Sequence, residues 1–283
     1  MTRRQEMARQ LDTLNDLKSI MTAMKNLALV ETRKLSKLRA NHERVVRTIT
    51  RAADDFLAHH PGLAPPAAMG QGLLIVVGSE RSFCGNFNDL VRAEAERALE
   101  RHPLPALLAV GSKLAARLEG DPRLVGRVEG PSVAEEVSPA LLRLLGALQE
   151  QQVRHPGGAL EIWAVYHDSD QGQVRMDEIT AIRPRAPGEP EFSSPPLLNL
   201  EPARFLMELI EHHLFALLTR VFYSSLIAEN RFRLAHMEHA TRRLENKAEE
   251  MTRKWNILRQ EEVTQEIALI ILSTMAEARE PEA

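Results

Sequence analysis

The C-terminal part of the chain repeats apolar or small residues in alternating steps of three and four. The repeat consists of Leu234, Met237, Thr241, Leu244, Ala248, Met251, Trp255 and Leu258. Such spacing is typical of the seam of a coiled coil. The first 60 residues contain a looser version, in Leu11, Leu14, Met21, Ala28 and Leu35, with Leu17, Met24 and Leu27 alongside. We therefore predict that both ends of the chain form long helices and that each helix is the partner of the other.

Glycine and proline divide the chain into three segments. All 14 glycines lie between Gly62 and Gly188, and 15 of the 16 prolines lie between Pro61 and Pro202. Residues 1–60 and 203–280 contain neither, so their sequence does not force a break in a helix. We predict an N-terminal coiled-coil helix over 1–60, an α/β head domain over 61–202 and a C-terminal coiled-coil helix over 203–283. The helices would pair antiparallel around the inserted head, although a helical bundle or a homodimeric coil would also fit the pattern.

The middle segment has the pattern of an α/β domain. Its apolar runs at 72–79, 104–112 and 159–167 end in turn residues, as buried parallel strands do. Residues 87–101 and 133–152 are predicted to be helices, and 173–184 alternates like an edge strand. The predicted order is β-α-β-α-β-α-β-β, a Rossmann-like open sheet with helices on its faces.

Composition excludes several classes of protein. The net charge is -3, so no overall basic field points to nucleic acid, and the single cysteine, Cys84, rules out an internal disulfide framework and favours a reducing compartment. The N-terminus lacks the apolar core of a signal peptide. The apolar-rich run 205–228 carries Glu208, Glu211 and Arg220, so we do not expect it to cross a membrane. The basic stretch 31–47 is interpreted as a solvated helix face or as a surface that faces acidic neighbouring subunits.

The strand-loop-helix stretch 76–88 is the clearest place to look for chemistry. It contains neither a dinucleotide-binding nor a P-loop motif. Cys84 could be a nucleophile near a helix N-terminus, but no base lies close to it in sequence. His236 and His239 could share a metal on one helix face, yet they flank seam residue Met237 and lack neighbouring carboxylates. We expect no catalytic residue, no cofactor and no metal site.

Three further stretches, SIMTAMKNLA at 19–28, GSERSFCGNFN at 78–88 and RQEEVTQEIALI at 259–270, share residues with known motifs. They resemble KITKAMKMVA, TSDRGLCGGLN and RQASITQELTEI of the gamma subunit of F-type ATP synthases. The shared residues are Ile20, Ala23, Met24, Lys25 and Ala28, then Ser79, Arg81, Cys84, Gly85 and Asn88, and finally Arg259, Gln260, Thr264, Gln265, Glu266 and Ile270. The third stretch is the most specific, and the likeness covers essentially the whole chain.

The resemblance implies a rotor subunit without catalysis of its own. In that family the coiled coil turns inside a hexamer of alpha and beta subunits, and the head rests with epsilon on the membrane ring of c subunits. Delta is a further candidate partner. Proton or sodium flow would turn the shaft and drive ATP synthesis or hydrolysis at the beta subunits. The chain would be a peripheral protein on the cytoplasmic face of the bacterial inner membrane, bound there only through the complex.

The same resemblance assigns roles to individual residues. Met24 and the polar residues after the seam, Arg259, Gln260, Thr264, Gln265 and Glu266, would contact the beta subunits, and the apolar end after Ile267 would sit in an apolar sleeve. The chain departs from the family at Met21, Thr22, Leu269 and Ser273, which fits a divergent bacterial form such as the gamma of an alternative F-type ATPase. The other hypotheses are a coiled-coil scaffold and an α/β enzyme that uses the 78–88 loop.

Overall fold

A long helix lies near each end of the chain. The computed structural model describes residues 3–64, 72–102, 104–154, 161–179, 182 and 194–277. Helix α1 spans Arg3–His59 and helix α5 spans Pro202–Glu277, so at 1.5 Å per residue they are about 86 and 114 Å long. Helix α1 ends before Pro61, and α5 begins at Pro202, where the N–H missing from proline would have no partner within the helix. Both helices were predicted from the absence of glycine and proline.

The chain divides into two units, and each contains part of both long helices. The coil unit comprises residues 1–27 and 235–283, and the head unit comprises residues 28–234. These units are not the three segments predicted from glycine and proline, and that division remains a prediction about domains.

The coil unit is an antiparallel pair of helices. Arg4 forms an ion pair with Glu262 at 3.0 Å, and Lys18 with Glu245 at 2.9 Å, so residue numbers rise along one helix as they fall along the other. The predicted seam on α5 faces inward, since Met237 and Met251 are buried and the seam residues between and after them are half-buried. On α1 the residues Leu11, Leu14, Met21 and Met24 are half-buried, whereas Leu17 and Leu27 are exposed.

The head unit is built on a five-stranded sheet with the order β3-β2-β1-β4-β5. Strands β1 to β4 are parallel, and β5 pairs antiparallel with β4. The chain follows the predicted order β-α-β-α-β-α-β-β, with short 3-10 turns at 61–63 and 134–136. The elements are β1 Gly72–Val77, α2 Phe87–Arg101, β2 Ala106–Val110, α3 Ser112–Ala115, β3 Leu124–Val128, α4 Val137–Arg154, β4 Glu161–His167 and β5 Val174–Glu178.

Helices cover both faces of this sheet. Alternate residues of β1 point to opposite sides, so Leu73, Ile75 and Val77 pack with α4 and with parts of α1 and α5. Leu74 and Val76 pack with α2 and α3 on the other face. The segments of α1 and α5 in the head unit run antiparallel, as the 2.9 Å contact from His42 Nε2 to the Ala216 carbonyl oxygen and the Phe56–Phe205 ring contact indicate. The predicted Rossmann-like sheet and antiparallel helices are confirmed.

The sequence analysis placed no residues on β3 or on the short α3. Strand β3 lies at an edge, most of its residues are only half-buried, and it contains Gly126. A Cβ atom at Gly126 would lie 2.8 Å from Leu108 Cδ1, beside a register shift between β2 and β3. The other predicted strands were slightly too long, and residues 159–160, 180–181 and 183–184 of those predictions lie outside the described residues.

Candidate functional site

Three of the motif residues in the 78–88 loop form one buried network. The Ser79 N–H donates to Asn88 Oδ1 at 2.9 Å, and Asn88 Nδ2 donates to Ser79 Oγ at 2.8 Å. The Cys84 thiol donates to the same Ser79 oxygen at 3.3 Å. A Cβ atom on Gly78 would lie 2.7 Å from Asn88 Oδ1 and closer still to Leu114, so glycine is required before this network. These contacts fix the loop to the first turn of α2.

The outer part of the loop is exposed and has an unusual backbone. Phe83 has φ 68° and Gly85 has φ 59°, and the left-handed conformation is uncommon for a residue other than glycine. The Phe83 side chain is 52% exposed, and Arg81 is exposed as well. The motif residues Arg81 and Gly85 therefore shape the surface of the loop and do not join the buried network.

Glu80 is a structural residue that the sequence analysis missed. Its carboxylate accepts hydrogen bonds from the Ser112 N–H at 2.9 Å, the Ser112 hydroxyl at 2.6 Å and the Gly130 N–H at 2.9 Å. Burial alone would raise the pKa of Glu80, but these bonds hold it below its usual value. Glu80 thereby joins the carboxyl ends of β1, β2 and β3.

Helix α5 fills the place where a sheet of this kind binds ligands. Ligands of open α/β sheets lie outside the carboxyl ends of the strands where the strand order reverses, here between β1 and β4. Phe232 of α5 contacts the rings of Phe87 and His167 there, at 5.5 and 5.1 Å between centroids, and Ala228 is buried in the same core. The chain's own helix therefore occupies this crevice.

A buried ion pair on α5 also lies beside the 78–88 loop. Glu229 and Arg233 are paired, and Arg233 Nε lies 3.5 Å from the Ser82 carbonyl oxygen. Burial raises the pKa of Glu229 to about 7, although Arg233 and the backbone N–H of Glu80 favour its charged form. Burial also raises the pKa of the Cys84 thiol. A thiol that keeps its proton is a poor nucleophile, so the loop is not arranged for thiolate chemistry.

The second group of predicted residues lies on the last part of α5. Arg259, Gln260, Thr264, Gln265 and Glu266 are all exposed. The Arg259 guanidinium lies over the ring of seam residue Trp255, 5.7 Å from its centre, and the Thr264 hydroxyl donates to the Gln260 carbonyl oxygen at 2.8 Å. Beyond the Arg4–Glu262 pair the apolar side chains are exposed too, and they are Val263, Ile267, Leu269, Ile270, Ile271 and Leu272.

Met24 does not lie beside Arg259. The Lys18–Glu245 pair places Met24 opposite residues near 240, whereas the Arg4–Glu262 pair places Arg259 opposite the beginning of α1. The two residues are therefore separated by about 28 Å along the coil. Departure residue Leu269 is exposed, and the side chain of Ser273 lies outside the described residues.

The part of the chain that the structure describes holds no group of three or more His, Cys, Asp and Glu residues placed to bind a metal ion. His236 and His239 are both exposed. No helix among the described residues has the length and apolar character needed to span a membrane.

Comparison with known proteins identifies the family. A family model described as ATP synthase matches residues 3–276. The ATP synthase gamma chain of Saccharopolyspora erythraea is 26% identical in an alignment that covers 91% of this chain and 93% of that one. The chain belongs to the ATP synthase gamma family. This confirms the family predicted from the three motifs.

Solved structures share the fold of the gamma family at low sequence identity. A chain of the Euglena gracilis mitochondrial ATP synthase rotor is 12% identical, has a TM-score of 0.60, and is matched over 92% of this chain and 98% of its own length. A chain of the Tetrahymena thermophila mitochondrial central stalk and c-ring is 17% identical, has a TM-score of 0.56, and is matched over 78% and 99%. Two long helices and a small sheet are thus retained where most residues differ.

Proposed function

We propose that this chain is the central rotor shaft of an F-type ATP synthase, which couples proton or sodium flow across a membrane to ATP synthesis or hydrolysis at the beta subunits. The observation that carries the proposal is helix α5. It is one continuous helix whose residues 216–233 pack in the head unit and whose residues 259–272 present exposed polar and apolar side chains. An exposed helix end that carries both polar and apolar side chains is suited to contact surrounding subunits.

The proposed partners follow from the family. Alpha and beta subunits would surround the coil, epsilon and the c-ring would bind the head unit, and delta is a further candidate. The solved relatives described above are named for a rotor and for a central stalk with its c-ring. The chain would be peripheral, held on the cytoplasmic face of a bacterial inner membrane through the c-ring. Residues 61–202 would act as one domain inserted between two helical segments.

The proposed contacts with beta subunits fall at two levels of the coil. Arg259, Gln260 and residues 264–266 form the first, since they are exposed and polar directly after the seam. The half-buried Met24 marks the second, where Leu17, Ile20 and Leu27 at nearby helix positions are exposed. Exposed apolar side chains on a charged coil favour an interface with protein. The apolar end after Ile267 would enter an apolar sleeve.

The chain would supply no catalytic residue to the complex. Helix α5 occupies the crevice in which an α/β enzyme would bind its ligand, and Cys84 is a buried thiol with a raised pKa. Calorimetric titration of the purified chain with ATP should therefore give no binding heat at micromolar concentrations. Micromolar binding would instead support the enzyme hypothesis.

Rotation itself can be tested directly. The full chain would be assembled with the alpha and beta subunits of the same organism, with the hexamer fixed to glass and a bead attached to the introduced cysteine of a Glu100→Cys variant. Glu100 is exposed on α2, and Cys84 is buried and does not compete for the label. ATP should drive the bead in one direction. A hexamer that binds the chain and hydrolyses ATP while the bead stays still would support a scaffold and contradict a rotor.

A further inference from the structure

The loop between β4 and β5 is a tight turn whose own bonds make it rigid. The Gly172 N–H donates to the Asp168 carbonyl oxygen at 2.9 Å, and the Asp170 N–H donates to Asp168 Oδ1 at 2.8 Å. The Arg175 guanidinium holds the other Asp168 oxygen at 3.0 Å. Gly172 has φ 66°, a conformation that glycine adopts without strain. The turn therefore presents Ser169 and Asp170 in fixed positions.

Ser169 forms hydrogen bonds with both long helices. It is buried, and its N–H donates to the Ser224 hydroxyl of α5 at 2.8 Å. Its carbonyl oxygen accepts a hydrogen bond from Arg231, which is also on α5. Its own hydroxyl accepts a hydrogen bond from Arg39 of α1. Three polar groups of one residue thus connect the sheet to α1 and to α5.

Asp170 adds a paired contact with the same arginine. The two carboxylate oxygens of Asp170 accept from the two terminal nitrogens of Arg39, with one of these distances 2.6 Å. Paired bonds of this kind between arginine and a carboxylate fix orientation as well as distance. The Arg39 side chain is largely buried, whereas Asp170 is 67% exposed. Arg39 is therefore held from one side by the turn and packed on the other.

Two other polar contacts between the sheet region and the long helices, among the residues that the structure describes, involve one helix each. Lys34 of α1 pairs with Glu135, and Arg233 of α5 lies near the Ser82 carbonyl oxygen. The apolar packing around them is non-directional, whereas the paired hydrogen bonds of the turn also fix orientation. Arg39 lies 20 residues before the end of α1, about 30 Å from the point where the chain leaves that helix. The turn thus joins both helices to the sheet far from the covalent connection.

We propose that the turn formed by Ser169 and Asp170 is a torsional clamp, with Arg39, Ser224 and Arg231 as positioning residues that make α1, α5 and the sheet turn as one body. The inference rests on the proposed rotor function, because only a shaft under torque needs such a clamp. When torque enters at the head, the oriented bonds of the clamp oppose rotation of α1 against α5 beside the sheet.

The clamp is tested by the stiffness of the shaft in the assembled hexamer. The hexamer is stalled with a non-hydrolysable nucleotide, and the angular spread of the bead on Glu100→Cys reports how easily the chain twists. Asp170→Ala and Arg39→Ala should each widen the spread. The double variant Arg39→Ala/Asp170→Ala should widen the angular spread no further than Arg39→Ala alone. The reason is that the Asp170 carboxylate contacts the long helices through Arg39 in the clamp. Lys34→Ala is the matched control. It removes the ion pair between Lys34 of α1 and Glu135, which does not involve α5, and it should leave the angular spread unchanged.

The outcomes separate the clamp from the function on which it rests. If the wild-type chain rotates but the Asp170 and Arg39 variants keep the wild-type angular spread, the clamp hypothesis is wrong and the rotor function is still supported. A lower melting temperature without a wider spread would mean that these residues only stabilise the fold, which also overturns the clamp. Asp170→Glu retains the charge and should restore a narrower spread than Asp170→Ala. Because Asp170 is exposed, the two Asp170 variants are expected to fold, and they suffice to test the clamp if Arg39→Ala does not.

Discussion

Replacing Arg259 with alanine tests whether this residue contacts a partner subunit, as proposed, or only stabilises the coil. In the chain itself the guanidinium lies 5.7 Å from the centre of the Trp255 ring. A cation–π contact at an exposed site contributes about 0.5–1 kcal/mol, and arginine and alanine both favour helix. The free energy of unfolding of Arg259→Ala should therefore fall by less than about 1 kcal/mol, which lowers the melting temperature by less than about 4 °C for a chain of this size.

The effect on coupling should be much larger. A hydrogen bond from a charged group contributes about 1.5–3 kcal/mol when its partner is lost from an interface. Since each 1.4 kcal/mol is a factor of ten, one such bond to a beta subunit would change a rotary step by about ten- to hundredfold. The assay is ion pumping and ATP hydrolysis by the complex in vesicles, alongside thermal unfolding of the isolated chain. We expect coupled pumping to fall by about tenfold or more while folding is retained.

Arg253→Ala is the matched control for this substitution. Arg253 lies on the same helix, is exposed, and has a surface pair with Glu249 at 3.7 Å, so its removal takes away the same charge without touching the 259–266 residues. Pumping should be unaffected. The reasoning is refuted if Arg259→Ala lowers the melting temperature strongly and leaves the number of ions pumped per ATP unchanged, because Arg259 would then act only by holding the coil together.

Further predictions concern three other positions. Met24→Lys should keep the coil folded, because a half-buried lysine can extend its charge into solvent, but it should lower ion pumping per ATP; an unchanged ratio would remove Met24 from the interface. Asn88→Ala leaves the buried Ser79 N–H without its partner and should cost about 1–3 kcal/mol of stability in denaturant unfolding, whereas exposed Asn86→Ala should cost little. Burial raises the pKa of Glu229 in the folded chain to about 7, so the folded state binds more protons than the unfolded state and loses stability as pH rises from the usual glutamate pKa toward about 7. Glu229→Gln should remove that slope from the melting temperature, and an equal slope in both proteins would contradict the assignment.

The features predicted correctly were those encoded by neighbours along the chain. Residues 203–280 lack glycine and proline and repeat apolar residues in steps of three and four, so a long helix with one inward stripe follows from backbone chemistry and periodicity. The runs that became β1 and β4 are continuous and apolar because they are covered on both faces. The polar residues from Arg259 onward are exposed, and their contact with beta subunits stays a prediction.

The features that were missed depend on residues far apart in the chain. Glu229 and Arg233 have the spacing of an ordinary surface pair on a helix, and only the packing of α5 against β1 and β4 buries them. Strand β3 could not be read from periodicity because it is half-exposed and interrupted by Gly126.

The position of α5 shows what the periodicity of the sequence could not decide. Periodicity reports which side of an element is apolar, but it does not say which other element covers that side. The sequence by itself determined the elements and the inward stripes of the coil. Only the tertiary structure brought Ala228 and Phe232 into the crevice at the ends of β1 and β4, and joined Arg39 to Asp170 across 131 positions of the chain. Such contacts depend on how whole faces of helices and sheet pack together, because many alternative pairings of helices and strands would have the same local pattern of apolar residues.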